Sequence, residues 1–139
     1  MSEINYFYED TNFILDNQDI LSVWIGNTIQ SEDHKLNSIN YIFCSDEHLL
    51  EVNKEYLNHD YYTDIITFNN SETEFEVESD IFISIDRVKD NSNSNKCSFE
   101  IELNRVMIHG VLHLIGYNDK TEAEQKEMRE KENAYLSLL

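Results

Sequence analysis

Residues 98–119 read SFEIELNRVMIHGVLHLIGYND. From about Ser98 to Ile115, the positions Phe99, Leu103, Val106, Gly110 and Leu114 fall on one stripe. That spacing predicts a long helix with a buried side. Gly116 stands where this helix ends and can take the left-handed conformation of a helix-stopping residue. Beyond it, Thr121 and Glu124 form a capping-box pair that opens a final helix running to the C-terminus. A glycine inside a helix costs ~1 kcal/mol against alanine. This chain has only three glycines, and two of them, Gly110 and Gly116, lie within residues 109–119. Gly110 therefore points to a close backbone approach. Gly26 carries no such inference.

Upstream, the pattern alternates between strand and helix. Ile4, Tyr6 and Tyr8 alternate as a strand does. From Asp16 to Ser31, Ile20, Leu21, Trp24, Ile25 and Ile29 recur at helical spacing. Residues 39–44 read as a strand, and Ser45 stands as the N-cap of a second helix that reaches about Asn58. Strands are expected at 63–68 and 80–86, joined by the acidic stretch 70–79, and a short polar loop at 90–96. The element order β-α-β-α-β-β-α-α predicts an α+β fold, a single mixed four-stranded sheet flanked by helices, in one domain over residues 1–139.

Composition narrows the classes. The 139 residues carry 28 Asp and Glu against 10 Lys and Arg, a net charge of −18. Such a charge disfavours broad adhesion to nucleic acid or to an anionic membrane, while leaving room for a local reversal of sign at a metal or a basic groove. No apolar run approaches the ~20 residues of a membrane span. The acidic, polar N-terminal decapeptide does not read as a secretory signal. Cys44 and Cys97 are too few and too far apart for a disulfide scaffold or a zinc knuckle, and read as reduced thiols. A cytoplasmic domain with no membrane partner is the expectation.

His109 and His113 stand four apart on the long helix, so both imidazoles leave the same side, one turn above the other. A helix presents two nitrogen ligands to one metal at this spacing. Asp119 follows six residues after His113, past the Gly116 turn, as a carboxylate able to reach back as third ligand. Three protein ligands leave a fourth position open, the arrangement of a catalytic metal site.

The stretch 109–119, HGVLHLIGYND, resembles the signature His-Gly-x-Leu-His-Leu-x-Gly-Tyr-Asp-His of the YbeY family of bacterial rRNA-maturation endoribonucleases. Two further blocks resemble that family in order: NKEYLNHDYYTDIITF at 53–68 and SDIFIS at 79–84. The resemblance implies one zinc per chain, with His109 and His113 as the first two ligands and Asp119 at the position of the family's third histidine. A carboxylate lowers the positive charge of such a site and makes other divalent metals more competitive. Asn118 is the weaker candidate, because amides bind zinc poorly.

A second departure is Leu57, at the position of the family's arginine associated with RNA binding or catalysis. Arg105, one turn before His109, is a candidate substitute; its alternative is a surface ion pair with Glu102. His59 is a lesser candidate. Thr63 and Asp64 are expected either to shape the cleft floor or simply to open a strand. Tyr117 either points its hydroxyl at the metal or packs against the helix end. The implied function is a metal-dependent hydrolase that cuts single-stranded RNA in ribosomal RNA maturation and ribosome quality control, with ribosomal RNA and the ribosome or ribosomal proteins as partners. The alternatives are a non-enzymatic ribosome-assembly factor with a structural metal, and a metalloprotease-like hydrolase. Gly110 weakens the last, because HExxH proteases carry a Glu directly after the first His.

Overall fold

Which side chains the strands bury explains how the layers form, and a computed structural model describes residues 3–139 of the chain. Its elements are β1 (Glu3–Glu9), α1 (Gln18–Ser31), β2 (Lys35–Cys44), α2 (Asp46–Leu57), β3 (Ile65–Asn69), β4 (Glu76–Ser84), α3 (Ile85–Ser94), α4 (Phe99–Ile115) and α5 (Glu122–Leu136). The strands form one sheet in the order β1-β2-β4-β3. β1, β2 and β4 are mutually parallel, and β3 closes the far edge antiparallel to β4. The α+β reading with a single mixed four-stranded sheet holds.

The period-two pattern divides the sheet into two unequal faces. Ile39, Tyr41 and Phe43 of β2 join Val77, Ile81 and Ile83 of β4 in the main core, beneath α1 and α4. On the other face Cys44 meets Ile66, Leu49 and Val52 in a small cluster under α2. Buried Tyr41 satisfies its hydroxyl by donating to the Met107 carbonyl at 3.1 Å, which ties the central strand to α4. Trp24 likewise donates its indole N–H to the Tyr135 carbonyl at 2.9 Å, tying α1 to the end of α5.

Gly110 lies where α4 crosses the sheet. A Cβ there would stand 2.8 Å from Ile65 Cδ1 and 3.4 Å from Thr67 Cγ2, so the close approach expected from glycine usage is real. Gly116 takes φ +128°, and its N–H closes the helix on the carbonyls of His113 and Leu112. Ser45, Ser98 and Thr121 all cap their helices, and the Thr121–Glu124 box is complete.

The expected loop at 90–96 is a correction. Strand β4 ends at Ser84, whose hydroxyl accepts the Arg87 N–H at 3.1 Å and starts α3. Only Ile85, Val88 and Ser92 of α3 are buried. The helix is held by that cap and by packing on α4 rather than by an apolar stripe, so periodicity alone misses it. β4 also begins earlier than expected. Four residues of the acidic stretch, Glu76 to Ser79, pair with β2 from Lys35 onward. In α1, Ile20 faces solvent at 60% exposure, and the buried stripe runs through Leu21, Trp24, Ile25, Thr28 and Ile29 instead.

Candidate metal centre and cleft

Arg105 and His109 are one turn apart on α4 and project toward α5. There they meet Glu132, which is 4% exposed and held inward one turn after the buried anchor Met128. His109 Nδ1 lies 2.7 Å from Glu132 Oε2, and Arg105 Nη1 donates to Glu132 Oε1 at 3.0 Å. Both oxygens of this buried carboxylate are thus taken up by charge-assisted bonds. With Nδ1–H donating to Glu132, the other ring nitrogen, Nε2, looks outward, 3.4 Å from Asp119 Oδ2.

These residues line a cleft of about 620 Å³ between α3, α4 and α5, with Asp64 also in its wall. Of the three expected ligands, His109 and Asp119 meet there. His113, one turn further along α4, is exposed and does not line the cleft. Among the described residues no three of His, Cys, Asp and Glu converge as a ready ligand set. His109 Nε2 and Asp119 do present one nitrogen and one oxygen donor side by side. The Glu132 bond behind His109 is the kind of support that sets the tautomer and direction of a metal-binding imidazole.

Arg105 sits in the cleft, but its partner is Glu132 and not Glu102. Glu102 is buried and accepts from Asn95 Nδ2 at 3.2 Å, leaving Arg105 to the inward carboxylate one layer across. Asp64 lines the cleft, with Asn91 Nδ2 3.4 Å from its carboxylate, whereas Thr63 does not. Tyr117 donates its hydroxyl to Glu32 at 2.7 Å, which settles it as a packed residue bracing the helix end. His59 is exposed and shares a hydrogen bond with Tyr61 at 2.9 Å, and Leu57 is 38% exposed; neither lines the cleft. Cys44 and Cys97 are free thiols.

Burial works against charge on His109, but the Glu132 bond and then the Glu132, Asp119 and Asp64 carboxylates outweigh it and hold its pKa above the usual histidine value. Burial likewise works against charge on Glu132, and the His109 and Arg105 bonds overcome it, so its pKa falls below the usual range. Asp64 goes the other way: burial raises it, and His109 only partly offsets the rise. The cleft therefore holds a buried carboxylate whose pKa is lowered by its bonds to His109 and Arg105.

Sequence reasoning missed Glu132. A signal exists: Met128 and Glu132 are four apart on a helix with few apolar residues, so a carboxylate falls on the same face as an apolar anchor. The partner it meets there comes from tertiary packing alone.

Residues 6–139 match the family model described as Endoribonuclease YbeY. A protein named Endoribonuclease YbeY from Cytophaga hutchinsonii is 51% identical over 135 residues, covering 97% of this chain and 94% of that one. Its namesake from Amoebophilus asiaticus is 50% identical over 135 residues, covering 97% and 92%. The solution structure of TM1509 from Thermotoga maritima superposes with a TM-score of 0.66 at 28% identity, covering 94% of this chain and 85% of that one. With nearly the whole chain matched at this identity and the expected sheet and long helix in place, the chain belongs to the YbeY family of endoribonucleases.

Proposed function

We propose that this member is a metal-dependent endoribonuclease acting on single-stranded ribosomal RNA, in maturation and in quality control of the ribosome. The observation that carries the proposal is the fixed imidazole: His109 is backed by Glu132 at 2.7 Å and faces Asp119 at 3.4 Å in an open cleft. This donor set fits a borderline divalent cation, a neutral imidazole nitrogen beside a carboxylate oxygen. His109, Asp119 and His113 would hold one zinc per chain, His113 being exposed and without a side-chain hydrogen bond among the described residues. With one carboxylate among the donors, manganese or another harder divalent ion competes better than at a site of three histidines. The chemistry such an ion supplies is Lewis acidity toward a phosphate oxygen.

The chain's own residues do the rest. Glu132 keeps the His109 ring oriented, and Arg105, held by the same carboxylate, keeps that carboxylate ionised. Among the described residues no helix is long and apolar enough to cross a membrane, and work on ribosomes would place the protein in the cytoplasm.

The charge of −18 favours a second reading, an assembly factor that docks basic ribosomal proteins and cuts nothing. The two part cleanly in one assay. Zinc-loaded protein should cut ribosomal RNA, chelator should stop it, and added zinc should restore it. Intact RNA after prolonged incubation of the metal-loaded protein would overturn the nuclease reading in favour of the assembly factor.

A further inference from the structure

The cations of this chain are few and unevenly placed. Five of the ten Lys and Arg, namely Arg105, Lys120, Lys126, Arg129 and Lys131, fall within residues 105–131. Three of those, Arg105, Lys126 and Arg129, line the cleft that holds His109 and Asp119. An acidic protein that acts on a polyanion needs local cations, and Lys126 and Arg129 supply them on the α5 side of this cleft.

The three cations are not equivalent. Arg105 is 19% exposed and bound to Glu132 at 3.0 Å, so it serves the buried carboxylate. Arg129 is a loose third neighbour of the same carboxylate, 3.7 Å from Oε1 with its side chain 58% exposed. Because Glu132 is already satisfied by Arg105 and His109, the charge of Arg129 is surplus to the buried network. Lys126 is exposed and makes no ion pair among the described residues. Lys126 and Arg129 are three apart on α5, hence on one face of the helix within a side chain's reach of each other. Asn91 of α3 and Asn95 just past its end bring only neutral amides to the same cleft.

Four of the five acids that line the cleft are engaged within it. Glu102 is buried and hydrogen-bonded by Asn95, Glu132 is doubly paired, Asp119 faces His109, and Asp64 lies 3.4 Å from the Asn91 amide. Glu122 remains near the α5 N-terminus, a turn before Lys126.

We propose that the sugar-phosphate backbone of a single RNA strand lies along the α5 wall of the cleft, with consecutive phosphates held by Lys126 and Arg129. This rests on the endoribonuclease reading and adds to it the path of the substrate. Each Lys or Arg that neutralises a phosphate of a single strand contributes about 0.7 to the slope of log K against log salt.

The test uses zinc-loaded parent protein, Lys126→Gln, Arg129→Gln, the double variant, and Lys54→Gln as a control, since Lys54 lies outside the cleft and pairs with Asp60. Binding of a fluorescein-labelled 2′-O-methyl oligouridylate is followed by anisotropy across a salt series, and KM and kcat are measured on a cleavable oligonucleotide. Both substitutions fall on exposed helix positions, and thermal melts check that they leave the fold unchanged. Each single variant should flatten the slope by about 0.7 and the double by about 1.4, with KM raised, kcat and zinc content unchanged, and the control like the parent. A parent that cuts RNA beside a double variant of unaltered slope and KM overturns the path alone. Equal flattening in Lys54→Gln also overturns it, because the binding charge would then be diffuse. A parent that neither binds nor cuts RNA overturns the endoribonuclease reading and the path with it.

Discussion

His109 and His113 lie one turn apart on the same helix, but their surroundings differ in kind. His109 is 26% exposed, with one ring nitrogen bonded to a buried carboxylate and the other facing Asp119. His113 is exposed and holds no side-chain hydrogen bond among the described residues. The contrast extends to the elements around them. The α4–α5 contact behind His109 is assembled, with Arg105, Glu132 and Met128 in place. The turn that carries Asp119 is open, with its carboxylate 46% exposed. Equal spacing along a helix therefore gives a common direction but not a common environment. One donor is oriented before any ligand arrives, and the others keep the freedom to meet it.

The largest expected effect comes from cutting the assembled half at its centre. Glu132→Ala would remove the buried carboxylate that Arg105 and His109 Nδ1 share. It should cost about 3 kcal/mol, the low end for a broken buried pair, because both partners keep some solvent. His113→Ala should cost no more than about 0.5 kcal/mol, as an exposed site does. Urea denaturation at neutral pH compares them, and equal losses would break the distinction between the two halves.

Next in size is the crossing of α4 over the sheet, which sets the height of His109. Gly110→Leu should cost about 1–3 kcal/mol through overpacking against Ile65, Thr67 and Ile81. Gly110→Ala should change little. The atom it meets is the mobile end of Ile65, and alanine recovers about 1 kcal/mol of helix propensity. Thermal midpoints of the two variants check this, and an alanine variant as damaged as the leucine one would show that the contact is rigid.

The smallest effect concerns the brace of the open half. Glu32 accepts hydrogen bonds from Tyr117 and Tyr135 and faces Lys131 at 3.4 Å. Burial pushes its pKa up, but the Tyr135 and Tyr117 bonds and Lys131 more than offset that, so it lies below the ordinary value of 4.5. A carboxylate with a lowered folded pKa adds stability that is complete above its unfolded value and lost as pH falls through the folded one. Glu32→Gln should therefore be less stable than the parent by under about 1 kcal/mol at neutral pH, with the gap closing in acid below pH 4.5. A gap that stays constant from neutral pH to acid would show that the brace does not depend on the charge.

The fold was legible where sequence pattern and packing agree. Alternation marked β1, and glycine usage marked both the α4 crossing at Gly110 and the turn at Gly116. Helix α3 was not legible, because a polar run with Ile85 and Val88 as its only buried apolar residues shows no stripe. The same limit applies to the site. His109 and Asp119 are readable from spacing, since both lie on one short segment. Glu132 lies 23 residues from His109, and its role appears only when α5 packs on α4. Arg105 shows the reverse error. Proximity in sequence favoured Glu102 as its partner, whereas the inward carboxylate across the helix interface takes it.

The most direct test of the account is metal content by elemental analysis, on tag-free parent protein beside His109→Ala, His113→Ala and Asp119→Ala. The parent should hold about one zinc per chain, lost in all three variants, with His113 contributing despite its exposed position. A parent that takes up no zinc after reconstitution, or a His109→Ala variant that keeps it, would contradict the metal centre.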